Sequence, residues 1–361
     1  MEDIRLSNEF YINSHKGPYF VEFSPFNSLD DYSIESSRDF IVIDRNLLEL
    51  YPEKFSEIES YRHLAIDASE ENKSLDKFPV YIQKLVDLNF KRDQNLIAFG
   101  GGITQDITCF IASTIMRGVN WEFHPTTLLA QADSCIGSKS SINSGNIKNI
   151  LGTFYPPKKI NIDVDFLDSL DEKEVLSGIG EMIKVHAIAG KNNLTALSNS
   201  YESLFSDKTI MQRYIKDSLM IKKNIIEEDE FDTGIRNVMN YGHSFGHAIE
   251  SATNFFIPHG IAVTIGMDIA NFVSLRLKRI SESYFYETHE LLKKNYETFL
   301  HSAISSEELL KALEKDKKNT ADYLRLILPN QKGEIEIHMQ KKGDFINNSL
   351  EEYFKEIFVN R

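Results

Sequence analysis

A short apolar strand that ends in three glycines is the feature that most limits the folds open to this chain. The strand covers residues 95–99, the glycines are residues 100–102, and a helical pattern follows over residues 106–117. A strand, a glycine turn and a helix are the layout in which backbone N–H groups and a helix N-terminus bind the phosphate of a dinucleotide. Gln105 stands where a Rossmann fingerprint has its third glycine, so a simple tight turn remains an open interpretation. Either interpretation predicts α/β structure here.

The sequence pattern changes near residue 170. Before that point, short apolar strands alternate with helical segments and turns. After it, glycine and proline become sparse and the apolar residues recur with helical periodicity. Because single cores seldom grow beyond about 250–300 residues, we predict two domains, residues 1–170 and residues 171–361. A short hairpin over residues 324–337 and a closing helix over residues 353–358 are expected near the end.

Composition excludes several classes of protein. A net charge of −14 argues against nucleic acid as a partner, since phosphate backbones are bound by a positive surface. The sequence has no apolar run of about 20 residues and no signal-like N-terminus, so we expect a cytoplasmic protein without a membrane partner. Cys109 and Cys135 are expected to be buried thiols. An anionic substrate would require a local concentration of lysine and arginine.

Histidines four residues apart suggest a metal site in the second domain. His243 and His247 would share one helix face, and His259 and Glu181 are further ligand candidates. A catalytic zinc site typically uses three such ligands and leaves one position open. The alternative is that the two helix histidines pack in a buried helix and bond to backbone atoms. Basic residues in the second half, each more often a surface charge, together would form a pocket for a doubly anionic substrate.

At this point several motifs resemble one family. They are Gly100-Gly101-Gly102 with Asp106, residues 125–134, Lys148-Asn149, residues 180–184, residues 242–250 and His259-Gly260. Their order and spacing, from about residue 40 to 330, are similar to those of 3-dehydroquinate synthase, one of the sugar phosphate cyclases. The resemblance implies an N-terminal Rossmann-like NAD-binding domain and a C-terminal α-helical metal-binding domain. It also implies an active site in the cleft and a homodimer.

The resemblance assigns roles to residues of this sequence. A divalent metal, zinc or cobalt, would be held by Glu181, His243 and His259, and His247 would then belong to the substrate phosphate. The other residues implied for catalysis are Asp133, Lys184, Lys222, Asp232, Arg236 and Asn240. Those implied for substrate binding are Lys139, Asn149, Lys317 or Lys318, and Arg117 reaching in from a neighbouring subunit. Those implied for NAD are Asp44, Asn46, Glu70, Lys73, Gly101, Gly102, Asp106, Thr126, Thr127, Lys148, Phe166 and Ser169.

The implied reaction converts 3-deoxy-D-arabino-heptulosonate 7-phosphate into 3-dehydroquinate. NAD oxidises an alcohol, phosphate is eliminated, the hydride returns, and an internal aldol step closes the ring. This sequence departs from the family pattern at Ser138, Asp232, Ser244 and Ile261. Three alternatives therefore stay open: a related cyclase acting on another sugar phosphate, a metal- and NAD-dependent alcohol dehydrogenase, and a non-catalytic binding paralogue. The retained Lys222 and Arg236 favour a substrate with both a carboxylate and a phosphate.

Overall fold

The strands of the N-terminal part form one seven-stranded sheet. The computed structural model describes residues 8–30, 32, 34–35, 38–145, 147–300, 304–314 and 319–358. The spatial order is β1-β2-β9-β6-β5-β3-β4, and every neighbouring pair is parallel except β1 with β2. The strands are β1 (Glu9–Ile12), β2 (Tyr19–Phe23), β3 (Asp39–Asp44), β4 (His63–Ile66), β5 (Asn95–Gly100), β6 (Trp121–Pro125) and β9 (Lys159–Ile162).

Three helices and a small hairpin accompany this sheet. They are α1 (Asn46–Leu50), α2 (Phe78–Asp87), α3 (Gly102–Thr114) and the hairpin of β7 (Ile142–Ser144) with β8 (Ile147–Leu151). The apolar pattern over residues 47–58 suggests a longer helix than α1. The helix ends early because Pro52 disfavours helical backbone at Tyr51, the residue before it.

The central strands are buried on both faces, as the apolar runs of a covered parallel sheet require. Ile41 and Ile43 of β3 pack in one core cluster with Phe26, Phe99 and Phe166. In the sheet, β4 lies on one side of β3 and β5, the next strand along the chain, lies on the other side. The carboxyl ends of β3 and β5 therefore flank a topological switch point, which is where open α/β sheets bind ligands.

Helices dominate the second part of the chain. They are α4 (Glu172–Ile188), α5 (Lys191–Ser200), α6 (Lys208–Glu228), α7 (His243–Ala252), α8 (His259–Arg276), α9 (Glu282–Tyr296), α10 (Ser306–Glu314) and α11 (Asp344–Glu352), with a hairpin of β10 (Tyr323–Pro329) and β11 (Ile335–Lys341). Helix α8 is the central element, because it is buried from Gly260 to Ser274 and contacts α4, α7, α9 and β10.

The chain divides into two compact units. The first comprises the described residues of Met1–Leu170 together with Lys223–Phe231, and the second comprises those of Asp171–Lys222 and Asp232–Arg361. A single boundary near residue 170 does not anticipate the return of Lys223–Phe231 to the first unit. No helix formed by the described residues is both long enough and apolar enough to cross a bilayer.

A buried carboxylate joins three elements of the second unit. Asp268 on α8 is fully buried, and its Oδ2 lies 2.8 Å from His289 Nδ1 on α9. The same oxygen accepts hydrogen bonds from the hydroxyls of Tyr296, at 2.6 Å, and Tyr353, at 2.8 Å. Burial, followed by the charge of Asp268, raises the pKa of both tyrosines, so both remain donors. Asp268 thus holds α9 and the segment after α11 against α8.

We expect Asp268→Ala to lower the free energy of unfolding by about 3 kcal/mol, because it strands three buried donors without their acceptor. Asp268→Asn retains a carbonyl oxygen of the same shape and should cost less. The measurement is urea unfolding followed by far-ultraviolet circular dichroism. Equal midpoints for Asp268→Ala and the wild type would contradict this account of the network.

Candidate active site

Three potential metal ligands from three helices meet in the second unit. Glu181 comes from α4, His243 is the first residue of α7 and His259 is the first residue of α8. Oε1 of Glu181 lies 3.6 Å from Nε2 of His243 and 3.3 Å from Nε2 of His259. The ligand atoms all lie within 4.8 Å of one another. This is the set of two imidazoles and a carboxylate that binds a catalytic divalent metal.

The second nitrogen of each ring is already engaged, which turns Nε2 toward Glu181. Nδ1 of His243 lies 3.3 Å from the carbonyl oxygen of Tyr241, and Nδ1 of His259 lies 3.2 Å from Oε2 of Glu250. Such outer partners fix the tautomer and orientation of metal-binding histidines. The packed-helix alternative for His243 and His247 accounts for Nδ1 of His243, but it leaves the approach of Nε2 of His243 to Glu181 unexplained, and His247 is exposed.

Charge and burial at this cluster favour a cation. Glu181 is 1% exposed, and its Oε1, 3.3 Å from Nε2 of His259, lacks the geometry of a hydrogen bond to it. Its Oε2 accepts one from Lys184 Nζ. Burial disfavours the charged carboxylate, but Lys184 and the charged His259 outweigh it and hold the pKa of Glu181 well below its usual value. A buried, ionised carboxylate requires a positive partner, and the two Nε2 atoms turned toward it complete a ligand set, so these residues fit a divalent metal.

The histidines of this cluster titrate in opposite directions. Burial lowers the pKa of His243 well below its usual value. Burial also opposes the charged form of His259, but the carboxylates of Glu181 and Glu250 on its two sides raise its pKa to about 10. Without a metal, His259 therefore carries the positive charge that the two carboxylates attract.

Metal binding is therefore expected to release about one proton at about pH 8, because a metal-bound imidazole must be neutral. The proton comes from His259, since His243 is already neutral. Affinity should fall about tenfold for each unit that pH is lowered, and this dependence should vanish above about pH 10. Calorimetric zinc titrations in two buffers of different ionisation enthalpy measure the released protons. Binding with no proton release would contradict the charge assigned to His259.

Close backbone contacts position the ligand-bearing helices. Gly180 precedes Glu181 on α4, and Gly260 follows His259 on α8. A Cβ atom on Gly180 would lie 2.2 Å from the carbonyl oxygen of Gly260, and one on Gly260 would lie 1.8 Å from the carbonyl oxygen of Ser177. Only glycine permits this approach. The crossing of α4 with α8 thus fixes the distance between two of the ligands.

The remaining predicted residues of the second unit lie on several elements, and His247 adjoins the cluster. The ring centroid of His247 lies 5.3 Å from that of His243 and 5.8 Å from that of His259. The segment Ile235–Asn240 contacts α4 and carries the buried Arg236 and the half-buried Asn240. The structure also places the buried Lys222 on α6 and the half-buried Asp232 between α6 and this segment. Lys317 and Lys318 lie outside the described residues.

Glu250 is the residue near the metal site that sequence reasoning missed. It occurs in the quoted motif, seven residues after His243, and received no role. That spacing places both residues on one face of a helix, which could have identified Glu250 as an outer partner. The departure at Ile261 is less consequential than the sequence suggests, because Ile261 is fully buried and Glu250 supplies the partner of His259.

Four residues predicted to contact NAD or substrate form one cluster in the first unit. The buried Lys73 lies with its Nζ 3.2 Å from Asp106 Oδ2, 2.9 Å from Asn149 Oδ1 and 3.5 Å from Glu70 Oε1. Burial raises the pKa of Asp106, although Lys73 and Ser141 oppose this shift. Ser141 donates from both its backbone N and its hydroxyl to Asp106, and sequence reasoning gave this residue no role.

The switch point of the sheet carries a second group of predicted residues. Asp44 ends β3 and accepts from the backbone N of Asn46 at 3.1 Å, and burial raises its pKa. Gly101 precedes α3, and no side-chain hydrogen bond from Gly101 caps this helix, which begins directly after the carboxyl end of β5, where a phosphate site is expected. The backbone N of Thr126 donates to Gly100 O, and Thr127 Cγ2 would lie 2.8 Å from a Cβ on Gly101. Gly102 begins α3.

The remaining predicted residues of the first unit differ in exposure. The side chain of Phe166 lies in the core cluster, and its carbonyl oxygen accepts a hydrogen bond from the hydroxyl of Tyr51 at 2.7 Å. Ser169 and Asp133 are half-buried, whereas Lys148 on β8 and Lys139 are exposed. Arg117 is exposed on a turn where it and Met116 have left-handed φ values of 66° and 50°.

Comparison with solved structures defines the fold class. The structure is similar to 2-deoxy-scyllo-inosose synthase complexed with carbaglucose-6-phosphate, NAD+ and Co2+, with a TM-score of 0.81, 21% identity and coverage of 95% of this chain and 99% of that one. It is also similar to 2-epi-5-epi-valiolone synthase from Streptomyces hygroscopicus with NAD+ and Zn2+ bound, with a TM-score of 0.79, 24% identity and coverage of 92% and 95%. The fold is that of the sugar phosphate cyclases, as the sequence predicted.

Sequence comparison identifies the family. The models described as 3-dehydroquinate synthase N-terminal and C-terminal match residues 63–177 and 178–319. The 3-dehydroquinate synthase of Alkaliphilus oremlandii is 36% identical over 324 residues, covering 88% of this chain and 89% of the relative. That of Dictyoglomus turgidum is 36% identical over 344 residues, covering 93% and 94%. The chain belongs to the 3-dehydroquinate synthase family, and the resemblance predicted from its motifs is confirmed.

Proposed function

We propose that this protein is a 3-dehydroquinate synthase that converts 3-deoxy-D-arabino-heptulosonate 7-phosphate into 3-dehydroquinate and phosphate. The observation that carries the proposal is the cluster of Glu181, His243 and His259, in a chain that is 36% identical to two 3-dehydroquinate synthases. The enzyme is a carbon–oxygen lyase that uses NAD and a divalent metal. The buried Lys222 and Arg236 support a substrate that carries a carboxylate as well as a phosphate.

In this proposal the second unit holds the metal and the reacting part of the substrate. When bound, NAD accepts and returns a hydride and the metal polarises the alcohol oxygen as a Lewis acid. Glu181, His243 and His259 hold the metal, and Lys184 neutralises the second oxygen of Glu181. His247 sits beside both metal-binding imidazoles and binds the substrate phosphate. Asp133, Lys222, Asp232, Arg236 and Asn240 complete the catalytic set.

The first unit holds NAD at the switch point of its sheet. Asp44 and Asn46 after β3, and Gly101 and Gly102 before α3, provide one wall of this site. Glu70, Lys73, Asp106, Thr126, Thr127, Lys148, Phe166 and Ser169 are the other proposed contacts. Lys139 and Asn149 bind the substrate, together with Lys317 or Lys318. NAD binding is thus assigned to residues before about residue 170 and metal binding to residues after it, and the proposed substrate contacts come from both.

The proposed assembly is a homodimer in which Arg117 reaches the phosphate of the neighbouring subunit. Its support is the strained turn that presents an exposed guanidinium, since left-handed backbone at two non-glycine residues costs energy and is retained where it serves a function. Sedimentation velocity measures the assembly directly, and a monomer at assay concentration would contradict it.

The decisive experiment is phosphate release by purified protein with NAD and zinc or cobalt. The substrates are the heptulosonate phosphate, glucose 6-phosphate and sedoheptulose 7-phosphate in parallel. Release from the heptulosonate alone, with 3-dehydroquinate as product and no net NADH, is the expected result. Release only from another sugar would make the protein a related cyclase. NADH accumulation without phosphate release would make it an alcohol dehydrogenase.

A further inference from the structure

The exposed Lys139 projects from a loop whose neighbouring residues are buried. Gly137, Ser138 and Ser140 are buried, whereas Lys139 is exposed. Gly137 donates from its backbone N to the hydroxyl of Tyr19 at 3.2 Å, and Lys139 pairs with Phe154 in an isolated antiparallel bridge. The backbone on either side therefore fixes the position of Cα of Lys139 and the direction of its Cα–Cβ bond.

Ser138 adopts a backbone conformation that serine disfavours. Its φ is +65°, in the left-handed region that favours glycine. The cost must be met by contacts that hold the residue in place. Two such contacts exist, because the carbonyl oxygen of Ser138 accepts from the backbone N of Tyr155, and its hydroxyl donates to Oε1 of Glu230 at 2.6 Å.

Glu230 lies 92 residues from Ser138 in the sequence. It also accepts hydrogen bonds from the turn between β1 and β2. The hydroxyl of Ser14 donates to its Oε1 at 2.6 Å, and the backbone N of His15 donates to its Oε2 at 2.8 Å. Nδ1 of His15 lies 3.1 Å from Oε1. Burial disfavours the charged form, but the hydrogen bonds from Ser138, Ser14 and His15 prevail and lower the pKa of Glu230, so it stays an ionised acceptor.

We propose that Glu230 is a positioning residue that holds Ser138 in its left-handed conformation and thereby directs Lys139 toward the substrate phosphate. The role of Lys139 in binding phosphate rests on the proposed function. The placement of the loop rests on contacts within the first unit, which contains Glu230 through the segment Lys223–Phe231. Glu230 would thus act on substrate binding through Ser138 without touching the reacting atoms.

The chain offers a matched control at Glu227. Its Oε1 accepts from the backbone N of Asn13 at 2.8 Å and from the side-chain amide of Asn13 at 2.9 Å, and its Oε2 accepts from Lys223 Nζ at 2.6 Å. Glu227 therefore fastens the same chain segment to the same β1–β2 turn, but no contact to Ser138 is among these bonds. A general docking role would make the two glutamates equivalent, whereas a positioning role would not.

The test compares Glu230→Gln with Glu227→Gln. We expect Glu230→Gln to raise KM for the heptulosonate phosphate about tenfold, with kcat and KM for NAD changed less than about twofold, because a uniform binding contact is weakened. Glu227→Gln should leave all three within about twofold. Adding Ser138→Gly to Glu230→Gln should restore most of the lost affinity, because glycine needs no support at this φ.

A second readout does not depend on activity. Hydrogen exchange at the backbone amide of Tyr155, which donates to Ser138, should accelerate in Glu230→Gln and remain unchanged in Glu227→Gln. Equal effects of the two variants on KM or on this amide, or failure of Ser138→Gly to rescue, would overturn the inference. If the wild type releases no phosphate from any substrate, the proposed function fails, and the exchange comparison alone decides whether Glu230 holds the loop.

Discussion

His243→Ala is expected to lose the bound metal and to reduce kcat/KM by at least about 1000-fold, because two remaining ligands cannot hold a catalytic divalent ion. The lost imidazole also leaves Oε1 of Glu181 buried beside one histidine instead of two. Metal content after dialysis, measured by plasma mass spectrometry, and phosphate release are the two measurements. Full metal content in an active His243→Ala variant would overturn the ligand assignment.

His247→Ala is the matched control for this prediction. Its ring is one helical turn from His243 and stands beside the same cluster. In the proposed assignment it binds phosphate, so the variant should keep its metal and lose affinity for the substrate. Loss of the metal from His247→Ala, with retention in His243→Ala, would exchange the roles of the two histidines.

Gly260→Ala is expected to lower the free energy of unfolding by about 3 kcal/mol, because a Cβ 1.8 Å from the carbonyl oxygen of Ser177 forces α4 and α8 apart. Zinc affinity should fall at least about tenfold, since His259 moves with α8 and Glu181 with α4. The sign of the change in the free energy of unfolding is informative, because replacing a helical glycine by alanine otherwise stabilises a protein by up to about 1 kcal/mol. Urea unfolding and zinc titration measure the two effects.

Gly246→Ala provides a graded comparison for Gly260→Ala. A Cβ there would lie 3.0 Å from Cα of Val263, a contact that a small shift of the neighbour relieves. Its effects on stability and zinc affinity should therefore be smaller. A gain of stability in Gly260→Ala, or equal losses in both variants, would contradict the view that the backbone contact spaces the ligands.

Local sequence patterns were sufficient to predict much of the secondary structure. The apolar run of β5, its glycines and the helical periodicity after residue 170 predicted strands and helices close to those observed. The order of the seven strands in the sheet could not be predicted from the sequence, because it depends on pairings between distant segments such as β2 and β9. The helix Lys191–Ser200 has the weakest local signal, since its asparagines and serines favour turns over helix interiors.

For the candidate site, spacing could propose ligands but could not choose among them. All three imidazoles adjoin one another, and a second group of His247, Glu250 and His259 also brings its ligand atoms within 4.8 Å. What marks His243 and His259 is that Nε2 of each lies within 3.6 Å of Oε1 of Glu181, a contact that only the folded geometry reveals. The contact of Glu230 with Ser138 could not be predicted from the sequence either, because more than ninety residues separate them.

The glycine contact between α4 and α8 also affects how the protein would respond to replacement of one metal ion by another. Because main-chain atoms in van der Waals contact set the spacing of Glu181 and His259, the ligand frame exists before any ion arrives. Stripping the metal should then leave the helices assembled, and zinc and cobalt should replace each other without refolding. Which metal ion the protein binds in a cell would then depend on the concentration of each ion and on how fast bound ions exchange, because the polypeptide holds the ligands at a fixed spacing.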